Sequence, residues 1–210
     1  MNNSIVNTGR LLVAGLRALL VLTLVTGVVY PLVVTGVAQA FFPGKANGSE
    51  VKADGRVLGS SLIGQQGYSL DYFQPRPAGG LGENSVNTQY RLLLSGATNR
   101  AADSPELVKA VRAAKAKVVK DNSTADYRVR PSQVPADAVT SSGSGLDPDI
   151  SPAYAELQVH RVAERNGLSV AEVEKLVRSH IEGRTLGFIG EPRVNVLQLN
   201  IALEGVVGEG

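Results

Sequence analysis

Asp147-Pro148-Asp149 sets two carboxylates on either side of a proline. Paired carboxylates can do general acid–base work or hold Mg²⁺. A proline-containing turn just before Ser151-Pro152 gives them a plainer use, helix capping, and that is the expected one. Immediately upstream, Gly143-Ser144-Gly145 has the composition of an anion-cradling backbone nest. A flexible turn explains it equally simply and is preferred. Neither G-x-x-x-x-G-K-[ST] nor G-x-G-x-x-G occurs, so the phosphate loops of common nucleotide sites are missing. The two histidines, His160 and His180, fall on separate predicted helices and read as surface or partly buried residues. No cysteine is present, which excludes disulfides, thiolate metal sites and a cysteine nucleophile. No spacing supports a Ser-His-Asp arrangement. Nothing in these residues makes an enzyme in its own right.

The element that must place these groups is a membrane helix. Ala18 to Phe42 runs for 25 residues without a charge, and about 20 apolar residues suffice to span a bilayer core. It is the one such stretch, and the chain after Pro43 is water-compatible. A single helix can anchor or pack but cannot enclose a pore. Net charge is +2 with acids and bases interspersed, and aromatic residues make up 5%. That balance argues against a nucleic-acid partner.

Ala38-Gln39-Ala40 resembles a signal cleavage site behind a positive region carrying Arg10 and Arg17. The apolar run exceeds the ~7–15 residues of a signal core, so a retained anchor is favoured. Pro31 lies inside it, tolerable where neighbours satisfy the freed carbonyl. Gly27, Thr35 and Gly36 are small enough for close helix approach. Arg10 and Arg17 before the span, against Lys45, Lys52 and Arg56 after it, give a slight bias to N-terminus inside and the domain outside.

Residues 44–54 are glycine, asparagine, serine and charge, and a hydrophilic linker is expected over 44–56. Short strands with turns at Gly59 and Gly64 are expected over 57–70. Pro75 and Pro77 hold Gln74 and Arg76 extended. A long loop is expected from Ala78 to Asp103. Ser104-Pro105 opens a helix whose apolar face carries Leu107, Val111, Ala114 and Val118. Lys109, Arg112, Lys115, Lys117 and Lys120 cover the rest, and a solvated face is the preferred account of them. Ser151-Pro152 opens a second helix that Gly167 closes. Ser169 and Glu172 form a capping box for a third, with Val173, Leu176, Val177 and Ile181 inward and Gly183 as its left-handed cap. Residues 194–203 fit both a strand and a helix capped by Asn195, with helix slightly favoured. The fold class is α+β: one N-terminal transmembrane helix (residues 1–43 with its tail), the linker, and one soluble, helix-rich domain over 57–210 with short strands and long loops.

The order of particular runs carries a resemblance. Tyr30-Pro31 lies in the span. Gly59-Ser60-Ser61-Leu62-Ile63-Gly64-Gln65 and Tyr72-Phe73 with Arg76-Pro77 follow. Ser142-Gly143-Ser144-Gly145-Leu146-Asp147-Pro148-Asp149-Ile150-Ser151 leads into Ala155, Gln158 and Arg161-Val162-Ala163. Gly187, Gly190-Glu191-Pro192-Arg193-Val194-Asn195-Val196-Leu197 and Leu199-Asn200 come last. Over nearly its whole length the chain resembles the C subunit of the bacterial Kdp-type potassium-transporting ATPase. It departs from that family's Ser-Gly-Gly-Ser-Asn-Leu-Gly-Pro-like element, compared there to a nucleotide-contacting signature. Here the region reads Leu94-Ser95-Gly96-Ala97-Thr98-Asn99-Arg100, with Leu81-Gly82-Glu83-Asn84 nearby. The resemblance makes Ser95, Gly96, Asn99, Ser142, Gly143, Ser144, Gly145 and Asp147 the candidate nucleotide-contacting residues.

What the resemblance implies is a non-catalytic subunit in the cell membrane, assembling with a channel-like potassium-binding subunit and an ATP-hydrolysing subunit. No tightly bound cofactor is expected, and ATP enters only through the complex. A domain outside cannot touch cytoplasmic ATP, so any effect on nucleotide binding is expected to be indirect. The alternative is a membrane-anchored extracytoplasmic binding or scaffold protein unrelated to transport.

Overall fold

Pro31 leaves its mark on the backbone of the first helix. The computed structural model describes residues 2–53, 55–65, 67–77 and 95–208. Helix α1 (Asn2–Leu24) passes through one widened π turn, Val25–Val29, into α2 (Tyr30–Phe41). Proline has no N–H, so the normal ladder cannot continue through it. Just upstream the Tyr30 N–H reaches back five residues to the Val25 carbonyl. The Thr26 hydroxyl donates to the Leu22 carbonyl at 2.7 Å, a second local compensation of the kind that accompanies helix irregularities. Val6–Phe41 is apolar and long enough to cross a membrane, and none of its most apolar window is buried. Its 36 residues extend about 54 Å at helical rise, more than a hydrocarbon core of ~30 Å. A four-residue helix, α3 (Pro43–Ala46), follows, and the Asn47 amide donates to the Pro43 carbonyl at 2.8 Å.

The second unit begins at Val51. Strands β1 (Glu50–Ala53) and β2 (Arg56–Ser60) form a two-stranded ribbon, so part of the hydrophilic stretch expected as linker is paired. Gly59 lies inside β2 rather than in the turn expected there. An added Cβ would sit 3.1 Å from Leu197 Cδ2 and 3.0 Å from Gln65 Nε2, so the glycine serves close packing rather than chain reversal. Residues 78–94, most of the expected loop, lie outside the described residues; 95–103 carry no helix or strand.

Helix α4 (Pro105–Asn122) starts as the sequence predicts, with the Ser104 hydroxyl accepting the Leu107 N–H. Leu107, Val111 and Ala114 are half-buried and Val118 is buried. Two short 3₁₀ turns, Pro131–Gln133 and Ala136–Ala138, lead to strand β3 (Asp149–Ile150). Helix α5 (Pro152–Asn166) is capped by Ser151 and closed by Gly167 at φ +67°. Asp137 reinforces that cap, accepting from the Ser151 N–H and hydroxyl at 2.7 and 2.9 Å. Helix α6 (Val170–Ser179) carries the Ser169–Glu172 capping box.

Two boundaries differ from expectation. α6 ends at Ser179 with His180 as its cap, and Gly183 is no left-handed cap. The reason is β-pairing: Ile181 opens β4 (Ile181–Glu182) and pairs with Val194 of β5 (Arg193–Asn195). Ile181 still packs on the core, from a strand rather than from the helix. Residues 194–203 resolve into the end of β5 followed by α7 (Val196–Gly208). Asn195 does cap the helix, accepting the Gln198 N–H at 3.2 Å.

Strand β5 lies between β3 and β4, antiparallel to both, with Asp149 opposite Asn195 and Ile150 opposite Val194. The core behind it is valine-rich: Val159, Val162, Val173, Val177 and Val194 are all essentially inaccessible, together with Phe73, Leu199 and Leu203. It packs α5, α6 and α7 together with Phe73 of an irregular segment, 68–77, which turns at Leu70–Asp71 and belongs to no sheet.

Candidate functional site

That segment contains Tyr72-Phe73-Gln74-Pro75-Arg76-Pro77, and its prolines bar it from a regular ladder. Its buried peptide groups still need partners. Two side-chain amides supply them. Asn200 of α7 accepts the Phe73 N–H at 2.9 Å and donates to the Phe73 carbonyl at 3.0 Å. Gln158 of α5 accepts the Gln74 N–H at 2.6 Å and donates to the Gln74 carbonyl at 3.1 Å. Each carboxamide stands in for the neighbouring strand that the prolines exclude, and Phe73 is held fully buried between them.

Arg161, 2% exposed, completes the clamp. Its Nε donates to Asn122 Oδ1 at 2.9 Å, its Nη2 to Gln158 Oε1 at 2.7 Å, and its Nη1 to the Leu70 and Tyr72 carbonyls. Asn122 is fixed in turn by donating to the Val118 carbonyl. Desolvation pushes the guanidinium down to about 10, while the nearby Tyr154 opposes the shift. At neutral pH Arg161 is therefore still a cation, solvated by neutral acceptors from α4, α5 and the 70–72 backbone. Burial pushes the Tyr154 phenol up to about 12.

The clamp aims the end of the segment at the candidate residues. Arg76 Nη1 pairs with Asp147 Oδ2 at 2.8 Å. The other oxygen of Asp147 accepts the Asp149 N–H at 3.0 Å. Gly64 donates to the Leu146 carbonyl at 2.7 Å, and an added Cβ there would stand 2.6 Å from the Asp147 carbonyl oxygen. The expected turn at Gly64 is thus a place where two backbones meet.

The Ser-Gly elements converge beside this pair. Gly96 donates its N–H to the Ser144 carbonyl at 2.8 Å, and the Ser95 hydroxyl donates to the same carbonyl at 3.3 Å. Gly145, at φ +67°, donates to Ser142 Oγ at 3.0 Å, and Leu146 donates to Ser144 Oγ at 3.1 Å. Ser95, Gly96, Ser142, Ser144, Gly145 and Asp147 are therefore brought together. Gly143 is carried in the same turn, with open space around it. Asn99 takes no part in these bonds; its backbone sits at φ +49°, a region asparagine tolerates. The Gly145 and Leu146 amides, which an anion nest would aim outward, are turned onto the loop's own hydroxyls. A space of only about 10 Å³ lies between Arg76, Asp147, Gly64 and Gly145, room for one water.

The acid pair caps no helix. Asp149 Oδ2 lies 3.0 Å from Arg193 Nε, and Asn195 donates to Asp149 Oδ1 at 3.2 Å. Burial raises the Asp149 carboxyl above its ordinary value, while Asn195 and Arg193 oppose the rise. With Asp147 committed to Arg76, both acids are held by cations from distant parts of the chain. His160 of α5 stacks on Tyr127, ring centroids 3.7 Å apart and planes 4° off parallel.

Composition and spacing did not reveal the roles of Asn122, Gln158 and Asn200. The prolines of the 75–77 run were the available signal, since an extended buried segment without strand neighbours needs side-chain partners. The apolar tip formed by Leu186, Phe188 and Ile189 was also missed. These residues are 79%, 72% and 51% exposed.

The chain is similar to known proteins over nearly its whole length. A family model described as "KdpC: K+-transporting ATPase, c chain" matches residues 12–205. A potassium-transporting ATPase KdpC subunit of Streptomyces avermitilis is 69% identical over 220 residues, covering 99% of each chain. One from Streptomyces coelicolor is 66% identical, covering 100% of this chain and 99% of its own. The Mycobacterium tuberculosis subunit of the same name is 45% identical over 195 residues, covering 93% of this chain and 98% of its own.

Proposed function

This chain belongs to the KdpC family, the c chain of the K⁺-transporting ATPase, and from that premise we propose that it acts as a non-catalytic accessory subunit of an ATP-driven potassium uptake complex. It assembles with and stabilises a channel-like subunit and an ATP-hydrolysing subunit, and it promotes ATP binding by the latter without touching the nucleotide. The observation that carries this reading is the commitment of the candidate groups to internal bonds. Asp147 and Asp149 are held by arginines from distant parts of the chain, and Ser142 and Ser144 accept from amides of their own turn. Such a domain presents a fixed surface to partners rather than a reacting centre.

Among the described residues one helix is long and apolar enough to cross a membrane, which fits a single-pass membrane protein. With Arg10 and Arg17 on the cytoplasmic side, the domain lies outside and packs on the outer face of the channel-like subunit. Its influence on ATP then follows from linkage. A subunit that binds one conformer of the pump more tightly than another shifts the nucleotide affinity of the whole assembly by the same coupling energy.

The test is a single cysteine introduced at an exposed position of α4, Lys109→Cys, in a chain that has no other cysteine. An impermeant thiol reagent is expected to label it in intact cells. Labelling only after lysis would put the domain inside and make direct contact with ATP the better reading.

A further inference from the structure

The hairpin between β4 and β5 holds three apolar side chains in water on a rigid frame. Thr185 and Ile189 exchange both backbone hydrogen bonds, at 2.9 and 3.0 Å. Gly187 donates to the Arg184 carbonyl at 3.0 Å and Phe188 to the Thr185 carbonyl at 3.3 Å. Arg184 and Glu191 close the base with a 2.7 Å ion pair. The turn needs left-handed backbone at two successive residues, Leu186 at φ +54° and Gly187 at φ +83°. Asparagine, aspartate and glycine suit the first of these positions; leucine is strained there. The chain thus accepts strain at Leu186 and leaves about three-quarters of Leu186 and Phe188 exposed. Neither feature helps the hairpin fold.

We propose that this tip is a docking plug, seating Leu186, Phe188 and Ile189 in an apolar pocket on another subunit of the same assembly. The occupant is inferred from charge. Membrane-surface elements combine an apolar face with free lysines and arginines that meet anionic headgroups. At this tip both arginines are already matched: Arg184 to Glu191, and Arg193 to Glu182 at 2.7 Å and Asp149 at 3.0 Å. A rigid apolar knob with a self-neutralised rim has the anatomy of a protein interface core, an apolar centre within a polar ring. The inference rests on the subunit role proposed above.

The test replaces Phe188 by a benzophenone amino acid in the full chain, co-expressed with the other subunits, and irradiates the membranes. A cross-link to another subunit of the pump is expected; adducts to lipid alone, or none, would overturn the proposal. In parallel, tagged Leu186→Asn and Phe188→Ser chains compete with untagged wild type for incorporation. Each is expected to fall about tenfold behind, the effect of losing one well-buried interface anchor, while the Leu186→Asn chain by itself melts no lower than wild type. Equal incorporation of both variants would overturn the plug while leaving the subunit role intact. An assembly that forms equally well without this chain would overturn the subunit role itself.

Discussion

Asn200 and Phe73 are held together by two hydrogen bonds, one to each side of a single peptide residue. The Asn200 carboxamide takes the Phe73 N–H at 2.9 Å and its carbonyl at 3.0 Å. The pair lies 127 residues apart in the chain and joins the last helix to a segment that has no strand neighbour. Asn200→Leu keeps the volume and removes both bonds. Two buried peptide groups then lose their partners, at about 1–3 kcal/mol each. Unfolding of the full chain in detergent should show a loss of about 2–6 kcal/mol; a loss below about 0.5 kcal/mol, the usual effect of an uninvolved site, would show that the clamp does not hold the segment.

Arg161 is expected to tolerate no conservative replacement. Its fork reaches Asn122, Gln158 and two backbone carbonyls at once, and a lysine is a point charge with one nitrogen. Arg161→Lys should cost about 3 kcal/mol or more, since a buried charge loses acceptors that were its only solvation. Hydrogen exchange should show the 70–74 backbone opening first. Uniform loss of protection across α5 and α6 would mean the arginine acts through general packing instead.

Gly64 and Gly143 make a matched pair of tests. An added methyl at Gly64 meets the Asp147 carbonyl oxygen at 2.6 Å, whereas Gly143 faces open space. Gly64→Ala should destabilise by about 1–3 kcal/mol and loosen the Arg76–Asp147 pair. Gly143→Ala should stay within about 0.5 kcal/mol of wild type. Equal effects in thermal melts would show that the close approach is relaxed in solution.

The acid limb of stability should come from serine-bound carboxylates. Hydroxyls of Ser69, Ser104 and Ser169 hold Asp71, Glu106 and Glu172 below their ordinary values. A depressed folded-state value contributes stability that is present above the unfolded value and lost as pH falls through the folded one. Asp149 has the opposite sign: burial raises it, so its ionisation costs stability as pH climbs through that window. The melting temperature should hold between pH 7 and about 5 and fall below about 4. Glu172→Gln should make that fall shallower; an unchanged slope would contradict the assignment.

The helix starts were legible because their signals are local. Ser104-Pro105, Ser151-Pro152 and the Ser169–Glu172 box each act within three residues, and all three form as read. The run of residues at 75–77 showed that its segment is extended. Its partners could not be read, because Gln158 and Asn200 lie 84 and 127 residues away. Ile181 misled because its spacing from Val177 suits a helix face, while pairing with Val194 draws it into a strand. Gly59 and Gly64 looked alike, yet each answers to a separate atom of the fold, Leu197 and the Asp147 carbonyl. The candidate site was legible as a set of residues, since the Ser-Gly elements do converge. That they are occupied with one another is a matter of hydrogen-bond direction, which no spacing records.

The role proposed for this chain is to hold a potassium pump together and in its nucleotide-receptive form. The most direct measurement is K⁺-stimulated ATP hydrolysis by the complex, purified through a tag on the ATP-hydrolysing subunit, with this chain present, deleted, or supplied again from a second plasmid. The expected result is an intact, K⁺-stimulated assembly with the chain, loss of co-purifying subunits or weakened ATP affinity without it, and recovery on resupply. Unchanged composition, ATP affinity and K⁺ stimulation in its absence would contradict the claim.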